Sequence, residues 1–367
     1  MFASSLRYQI GITLIPGIGN VNAKKLISYC GGVEQVFREK KSTLIKIPGF
    51  DEKLADNILS QDILKRAERE IDFMIKNKVE HTFYLDADYP QRLLHCDDGP
   101  VMLYYKGAVD FNHPKIISVV GSRKATDYGR KICSNIIEEL AANNVIIVSG
   151  LAYGIDISAH KAALDNNLKT IAVLGHGLHK IYPFEHIKVA EKIINNGALL
   201  TDYLSETESF PENFPKRNRI IAGIADAVLV VEAALKSGTL ITAEVANGYN
   251  KEVLAVPGRV NDKYSEGCNQ LIKTNKAALC TCAADIYYLL NWDKDNKPAK
   301  QTQMDLFSGL NSNEKMLVEL LSDRQPLSID NLCMKANMNM GIVAEALLNL
   351  EFSGKVKSLP GKRYQLN

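Results

Sequence analysis

KIISVVGSR, residues 115–123, is the stretch that decides the fold, because a run of apolar, β-branched residues ends there in a glycine turn. Four similar runs follow along the chain. Continuous apolar runs of this length are typical of strands buried on both faces of a parallel sheet. With Lys115–Val120, the predicted strands are Val145–Ser149, Thr170–Leu174, Ala227–Val231 and Glu252–Val256.

Amphipathic stretches separate these runs and predict helices. Alternation of strand and helix indicates βαβ units, and therefore an extended Rossmann-like, doubly wound, mostly parallel sheet. In such sheets ligands bind at the carboxyl ends of the strands, near a topological switch point. The predicted helices are Tyr128–Asn143, Gly154–Asn166, Phe184–Asn195 and Thr239–Tyr249.

The pattern divides the 367 residues into three domains and a linker. Residues 1–80 look wholly helical, residues 81–292 form the Rossmann-like domain, and residues 293–304 are a charged, polar, proline-bearing linker. Residues 305–367 predict three helices and two short strands around Pro360-Gly361-Lys362, which is a winged helix. Its third helix, about Met340–Ser353, is poor in Lys and Arg, which favours contact with a protein over contact with DNA.

The helical front contains two related Pro-Gly segments, Pro16-Gly17-Ile18-Gly19 and Pro48-Gly49-Phe50-Asp51. A turn of this kind between short helices frees backbone N–H groups that can hold a DNA phosphate. The segments therefore resemble a helix-hairpin-helix (SAM-like) pair. The alternative is a helical module that serves packing alone, and the second copy lacks the glycine that a phosphate-binding hairpin needs.

Composition limits the classes of protein that fit. Hydrophobic residues make up 46% and charged residues 23%, with a net charge of +2, so an anion site must come from local clustering of cations. The first residues lack the pattern of a signal peptide, and no stretch reaches the roughly 18 apolar residues of a membrane span. Seven scattered cysteines indicate reduced thiols and a cytoplasmic protein without a structural zinc site or other metal.

Three predicted strands end in glycine-bearing turns that must stand on one edge of the sheet. The first is Gly121-Ser122-Arg123, the second contains Ser149-Gly150, and the third is Gly175-His176-Gly177. Glycine lets backbone approach a phosphate, and an arginine grips its oxygens. The first turn lacks G-x-G-x-x-G and no P-loop motif occurs, so neither a nicotinamide nor a P-loop nucleotide is expected, and no cofactor is predicted.

The segment after Pro211 clusters cations at the start of a predicted helix. Lys216, Arg217 and Arg219 flank Asn218, and we expect one arginine to enter the anion site and the other to brace it. Phe214 either stacks on a nucleobase or packs in the core.

A further donor-rich turn, Ser237-Gly238-Thr239, follows the strand Ala227–Val231. Between them, Glu232 is either a catalytic acid or an acceptor for Arg217, Arg219 or backbone N–H groups. The second interpretation is favoured.

The order of these motifs closely resembles the DNA-processing protein A family (DprA, also called Smf) over about residues 80–290. The resemblance implies a protein of natural transformation that binds and protects incoming single-stranded DNA, forms a homodimer, and loads the RecA recombinase onto that DNA, without enzymatic activity. It places DNA contacts at Gly121, Ser122, Arg123, Lys216, Arg217, Asn218 and Arg219, with Phe214 nearby; Ser149, Gly150, Ser237, Gly238 and Thr239 complete the predicted site.

Two other functions are weighed against this one. A nucleotide phosphoribohydrolase of the same fold is suggested by Ser237-Gly238-Thr239 followed by Glu244, although its Pro-Gly-Gly run is missing and no acid or base is paired for hydrolysis. A metal site at His160, His176 and His179 lacks carboxylate support, so these are interpreted as structural histidines.

Overall fold

The structure, a computed structural model, describes residues 2–292, 310–321, 327–359 and 363–366. The chain divides into two compact units, Met1–Trp292 and Asp293–Asn367. The helical front and the sheet belong to the same unit. The predicted linker 293–304 lies outside the described residues, and the domain limits at residues 80 and 292 stay a prediction.

A nine-stranded sheet forms the centre of the first unit, in the order β1-β2-β6-β5-β4-β3-β7-β8-β9. The pairs β1–β2 and β2–β6 are antiparallel, and all other neighbours are parallel. The predicted mostly parallel α/β sheet is thus confirmed. Its strands are β1 Glu80–Phe83, β2 Met102–Gly107, β3 Ile116–Val120, β4 Ile146–Ser149, β5 Thr170–Val173, β6 Gly197–Thr201, β7 Ala227–Val230, β8 Glu252–Ala255 and β9 Ala278–Leu279.

The chain leaves β3 toward β4, β5 and β6 on one side and later returns to its other side as β7. A crevice therefore opens between the carboxyl ends of β3 and β7, which is the topological switch point where open α/β sheets bind ligands. Every residue of β3, β4, β5 and β7 is buried, as the unbroken apolar runs predict for strands covered on both faces. Strand β6, which was not predicted, is also buried throughout.

Helices cover both faces of the sheet. Strand–helix crossovers supply most of them. The helices are α7 Gln91–Leu94, α8 Asp127–Leu140, α9 Ile155–Asp165, α10 Ile187–Asn195, α11 Asn213–Ile224, α12 Gly238–Gly248, α13 Glu266–Lys273 and α14 Ala283–Leu290. The four helices predicted with bounds agree with the observed α8, α9, α10 and α12 to within three residues at each end.

The helical front packs against the sheet through buried polar contacts as well as apolar ones. The Glu70 carboxylate, almost fully buried, accepts hydrogen bonds from the backbone N–H and hydroxyl of Ser205, both at 2.8 Å. The Asn20 side chain accepts from the Val101 N–H at 3.1 Å. The front consists of α1 Phe2–Leu14, α2 Asn20–Cys30, α3 Val33–Arg38, α4 Lys41–Leu44, α5 Glu52–Ile58 and α6 Gln61–Asn77.

The two Pro-Gly hairpins of the front bind parts of the front itself. The Asn57 amide donates to the Pro16 carbonyl at 3.1 Å, and the Lys25 ammonium donates to the Pro48 carbonyl. The packing role proposed for this pair is therefore observed. A role in DNA binding stays a prediction.

The second unit has the predicted winged-helix architecture. Ser328 caps the second helix, its hydroxyl accepting a hydrogen bond from the Asn331 N–H at 3.3 Å. The third helix carries Leu348 and Phe352 on its exposed side. The turn at residues 360–362 lies outside the described residues. The elements are α15 Ser312–Leu320, β10 Leu327–Ser328, α16 Ile329–Ala336, α17 Met340–Phe352, β11 Val356–Leu359 and β12 Arg363–Leu366, the strands pairing antiparallel.

Candidate functional site

The three glycine-bearing turns lie side by side, because β3, β4 and β5 are parallel neighbours. The first two turns touch closely. The Ile155 N–H donates to the Ser122 carbonyl at 3.1 Å, and a Cβ on Gly154 would stand 2.1 Å from that same oxygen. Gly154 also has a φ of +79°, so no other residue fits this approach without strain. The contact fixes the position of the Gly121-Ser122-Arg123 turn.

A cleft of about 460 Å³ occupies the crevice between β3 and β7, and we call it the cationic cleft. Ser237 caps the N-terminus of α12 at its rim, and the buried Ser237 hydroxyl has no hydrogen-bond partner among the described residues. Free N–H groups at a helix start, glycine backbone and a spare hydroxyl suit a phosphate. The predicted site residues that line the cleft are Gly121, Ser122, Arg123, Phe214, Arg217, Asn218, Ser237, Gly238 and Thr239.

Two exposed cations stand at this cleft. Arg123 and Lys124 follow the β3 turn, and neither has an ion-pair partner in the described part of the chain. On a protein of net charge +2, such unpaired cations next to a helix N-terminus create a local positive field.

Arg217 is a buried cation beneath the cleft. The Arg217 guanidinium is 4% exposed, donates to the Val173 carbonyl, and reaches the Asn218 side-chain oxygen at 3.2 Å. Burial lowers the pKa of Arg217 to about 10, so the group stays charged at neutral pH. Burial raises the pKa of Asp156, and the nearby Arg217 charge opposes this rise. Arg217 and Asp156 therefore depend on each other.

Gly150 makes room for this pair. A Cβ at Gly150 would lie 2.3 Å from the Asp156 carboxylate and 2.7 Å from the Arg217 guanidinium. Ser149 is buried, and its hydroxyl donates to the Val119 carbonyl at 2.6 Å. Neither residue lines the cleft, so the structure places both as supports of the site.

Helix α11 divides the predicted cations between two faces. Phe214, Arg217 and Asn218 share the face that lines the cationic cleft, as the i, i+3 and i+4 spacing requires. Lys216 and Arg219 line a separate groove of about 740 Å³. There the Arg219 guanidinium pairs with the Asp202 carboxylate and donates to the Asp98 carbonyl. The structure thus brings Arg123 and Arg217 together and places Arg219 elsewhere.

A smaller cavity of about 200 Å³ adjoins the cationic cleft, with Arg123, Phe214 and Arg217 lining both. We call it the aromatic cavity. The Arg123 guanidinium carbon lies 5.5 Å from the centre of the Phe214 ring, which is a cation–π distance. The Tyr182 and Phe214 ring centres are 6.0 Å apart. Partly exposed rings beside free cations are the elements of a site for single-stranded nucleic acid.

Sequence reasoning missed the other rings of this cavity. Tyr153 and Tyr182 line it, each about half exposed, and Phe184 is 77% exposed close by in the sequence. Tyr153 follows the β4 turn and Tyr182 the β5 turn, so their place after strand ends was the available signal.

Glu232 is a structural acceptor. One carboxylate oxygen accepts from the Thr126 N–H at 2.9 Å, and the other accepts from the Thr126 hydroxyl. The predicted backbone N–H partner is confirmed, while the alternative partners Arg217 and Arg219 are wrong. Glu232 is 1% exposed, which removes it from contact with a ligand in the cleft.

The remaining acids and histidines of the described residues do not form a metal centre, although His179, predicted to lack carboxylate support, lies 3.4 Å from the Glu208 carboxylate. Glu244 is exposed and pairs with Lys276 at 3.7 Å, outside the cleft lining. The buried His160 ring lies 2.7 Å from the Thr170 hydroxyl and 2.6 Å from the Gly150 carbonyl. Within the described ranges, no three His, Cys, Asp or Glu side chains are placed to hold a metal ion. Nor does any helix in those ranges have the length and apolar character to cross a membrane.

Fold and site define an α/β protein of the Rossmann type that carries a cationic cleft at its switch point, with a helical front and a winged-helix unit. Residues 80–291 match the family model described as DNA recombination-mediator protein A. Residues 298–362 match the DprA winged helix domain, and residues 12–61 match a SAM-like helix-hairpin-helix tandem. The chain belongs to the DNA recombination-mediator protein A family, which confirms the resemblance found in its motifs.

Similar proteins support this assignment along the whole chain. Protein Smf of Synechocystis is 30% identical over 399 residues, which cover 100% of both chains. The X-ray structure of DNA processing protein A from Streptococcus pneumoniae matches with a TM-score of 0.68 and 34% identity, covering 77% of this chain and 97% of that one. The DNA processing protein A of Helicobacter pylori, whose structure describes a single-stranded DNA binding mode, matches with a TM-score of 0.53 and 30% identity over 58% of this chain and 97% of that one.

Proposed function

We propose that this protein is a non-enzymatic, cytoplasmic mediator that holds single-stranded DNA in the cationic cleft and the aromatic cavity. The observation that carries the proposal is the junction of the two cavities at Arg123 and Phe214. A strand of DNA offers both a phosphate that binds in the cleft and a base that stacks on the rings. A free anion would bind in the cleft alone and make no contact with the aromatic cavity. The binding mode described for the Helicobacter pylori relative supports the same ligand.

Within the site we assign three kinds of role. Arg123, with the N-terminus of α12, grips the phosphate from outside. Arg217 adds a fixed buried charge, and the rings stack on bases. Duplex DNA hides its base faces in the stack, so a site of this kind binds single strands in preference.

The decisive experiment is the affinity of the full-length protein for labelled oligo-dT, followed by fluorescence anisotropy over a series of salt concentrations. Charge-assisted hydrogen bonds contribute about 1.5–3 kcal/mol each, so Arg123→Ala should weaken binding by about tenfold or more. The slope of log affinity against log salt should become shallower by about 0.7 for each phosphate that the variant no longer neutralises. The wild-type protein should bind a duplex of the same length less tightly.

Arg130→Ala is the matched control, because Arg130 is exposed in α8, pairs with Asp127 at 2.8 Å and lines neither cavity. Equal affinities of the Arg123→Ala and Arg130→Ala proteins would overturn the proposal. Circular dichroism and the fluorescence of Trp292, the single tryptophan, verify that each variant is folded.

We propose that the DNA held here is incoming DNA of natural transformation, protected and then passed to RecA, as a recombination mediator would do. The test is the lag before RecA begins to hydrolyse ATP on oligo-dT coated with a single-strand-binding protein. The wild-type chain should shorten the lag and Arg123→Ala should not. An unchanged lag with the wild-type chain would contradict the RecA role while leaving DNA binding intact.

We also propose that the protein acts as a homodimer. Strand β9 is the last strand of the sheet order and has only two residues, with Leu279 half exposed on it. An unpaired sheet edge with an exposed apolar side chain suits association with a second copy. Light scattering with and without oligo-dT should give the mass of two chains. The mass of one chain at micromolar protein under both conditions would contradict a dimer.

A further inference from the structure

A further groove adjoins the cationic cleft, and we call it the distal groove. Its volume is about 1090 Å³, and it lies between the start of α8 and the loop from Pro257 to Ser265. Two segments of the chain run from the lining of the cleft into the lining of this groove. Lys124 lines the cleft and Thr126 the groove, while Tyr264 lines the cleft and Ser265 the groove. The two spaces are therefore neighbours.

The order of the strands places the three spaces in a row. The aromatic cavity is lined by residues that follow β4 and β5, the cleft lies between β3 and β7, and the distal groove is lined in part by the turn that follows β8. These strands are parallel and stand in the order β5-β4-β3-β7-β8. With about 4.8 Å between neighbouring strands, the row from β4 or β5 to β8 is roughly 14–19 Å long. A stacked strand of nucleic acid rises about 3.4 Å per nucleotide, so about four to six nucleotides would cover the row.

The distal groove contains an aromatic ring beside a cation. Tyr128 is half exposed in its lining, and the Tyr128 hydroxyl donates to the Pro257 carbonyl at 2.9 Å, which ties the ring to the loop. Arg259 is exposed in the same lining and has no ion-pair partner in the described part of the chain. The groove thus repeats the combination that Phe214 and Arg123 present where the aromatic cavity meets the cleft.

The acids of the distal groove are engaged by groups of the protein itself. Asp127 pairs with Arg130 at 2.8 Å. The Asp262 carboxylate accepts from the Ser265 hydroxyl at 2.7 Å and from a backbone N–H of its own loop at 3.2 Å. Among the charged residues that line the groove, Arg259 is therefore the one left for a ligand, and the ligand that it attracts is an anion.

We propose that one strand of DNA continues from the cationic cleft into the distal groove, where Arg259 binds a phosphate and the Tyr128 ring stacks on a base. The inference rests on the proposed function, since it extends the same strand beyond the proposed site. Single-stranded DNA suits the row because phosphates and bases alternate along it, as cations and rings do along this edge of the sheet. Arg259 and Tyr128 lengthen the binding site without reading the sequence.

The test compares Arg259→Ala with Lys131→Ala in the full-length protein, using labelled oligo-dT of about twelve nucleotides, roughly twice what the row holds. Lys131 is exposed in α8 and lines none of the three spaces, so the control loses the same charge at a neutral place. Arg259→Ala should weaken binding about tenfold, and the slope of log affinity against log salt should become shallower by about 0.7. Lys131→Ala should change neither quantity.

Two substitutions of Tyr128 test the stacking. Tyr128→Ala should weaken binding about fivefold or more, the effect of one stacked base. Tyr128→Phe keeps the ring and removes the hydroxyl, so it should retain most of the wild-type affinity. Equal losses in the two proteins would overturn the role of the ring.

The outcomes separate this inference from the proposed function. Equal affinities and equal salt slopes for Arg259→Ala and Lys131→Ala would overturn the extension, while a loss of binding in Arg123→Ala would leave the proposed site in place. Two oligonucleotides bound per chain would also overturn it, because the groove would then be a separate site. A wild-type protein that does not bind oligo-dT would remove the proposed function and the extension with it.

Discussion

Replacing Arg217 with methionine should destabilise the first unit strongly. Arg217 is 4% exposed and Asp156 is 8% exposed, and both lie against Gly150. The Arg217 charge acts on the Asp156 carboxylate from nearby, and this carboxylate also has a long 3.4 Å contact from the Ala152 N–H and a contact with the Ser149 side chain. Removing one member of a buried charged pair typically costs about 3–5 kcal/mol, because the other charge is left without compensation. For a unit of this size the melting temperature should fall by roughly 10 °C.

The fluorescence of Trp292 provides the assay, since this single tryptophan is 7% exposed in the first unit and reports the unfolding of that unit. Urea titration of four proteins forms a double-mutant cycle: wild type, Arg217→Met, Asp156→Asn and the double variant. The double variant should be more stable than the sum of the two single losses implies, by about 2 kcal/mol. Additive losses, or a loss below about 1 kcal/mol for Arg217→Met, would refute the dependence of the two groups on each other.

Three further predictions concern the supports of the site. Gly129→Ala should lower the free energy of unfolding, measured by urea titration, by about 1–3 kcal/mol, because a Cβ there would stand 2.3 Å from the Glu232 carboxyl carbon. The control Gly248→Ala should not destabilise the protein, because a Cβ there would meet nothing within 4 Å. Equal effects of the two substitutions would contradict the close approach at Gly129. Burial lowers the pKa of His160 to about 4 in the folded protein. In the unfolded chain the same histidine binds a proton near pH 6.5, so acidification favours the unfolded state. Stability should therefore fall from pH 6.5 toward pH 4 by up to about 3 kcal/mol, and His160→Gln should fall less over this range; parallel curves would exclude this role. Arg219→Ala should weaken oligo-dT binding less than Arg123→Ala does, because Arg219 is engaged by Asp202 in the separate groove, and the reverse order would place the DNA in that groove.

The sheet was predictable where burial dominates the sequence. Strands β3, β4, β5, β7 and β8 are read directly from apolar runs, since a strand covered on both faces needs apolar side chains throughout. The short strands β1, β2, β6 and β9 escaped notice. Two of them are antiparallel additions at one side of the sheet, and the parallel strand β6 begins at Gly197, so their runs carry weaker patterns.

The site was predictable in its backbone and less so in its side chains. Glycine turns at strand ends indicate the edge of the sheet at which a phosphate binds, because parallel strands share one direction. The sequence cluster Lys216, Arg217 and Arg219 identified the cations but did not predict which cavity each side chain lines. Those depend on the rotation of α11 and on Asp202 and Asp156, which are distant in sequence.

The aromatic cavity was not predicted, because it forms only where several elements meet in the folded protein. Tyr153 and Tyr182 follow the ends of β4 and β5, which was the signal that the sequence offered, whereas Phe214 lies in α11 and reaches them only through the packing of that helix.

Photochemical crosslinking tests most directly where the DNA lies. An oligonucleotide that carries 5-iododeoxyuridine at each position in turn is irradiated with the full-length protein, and the adducts are mapped by mass spectrometry. We expect the adducts on the rings that line the aromatic cavity, Tyr153, Tyr182 and Phe214, and we expect Arg123→Ala to reduce them. Adducts confined to the helical front or the winged helix, with none in residues 121–239, would contradict a DNA site between the carboxyl ends of β3 and β7.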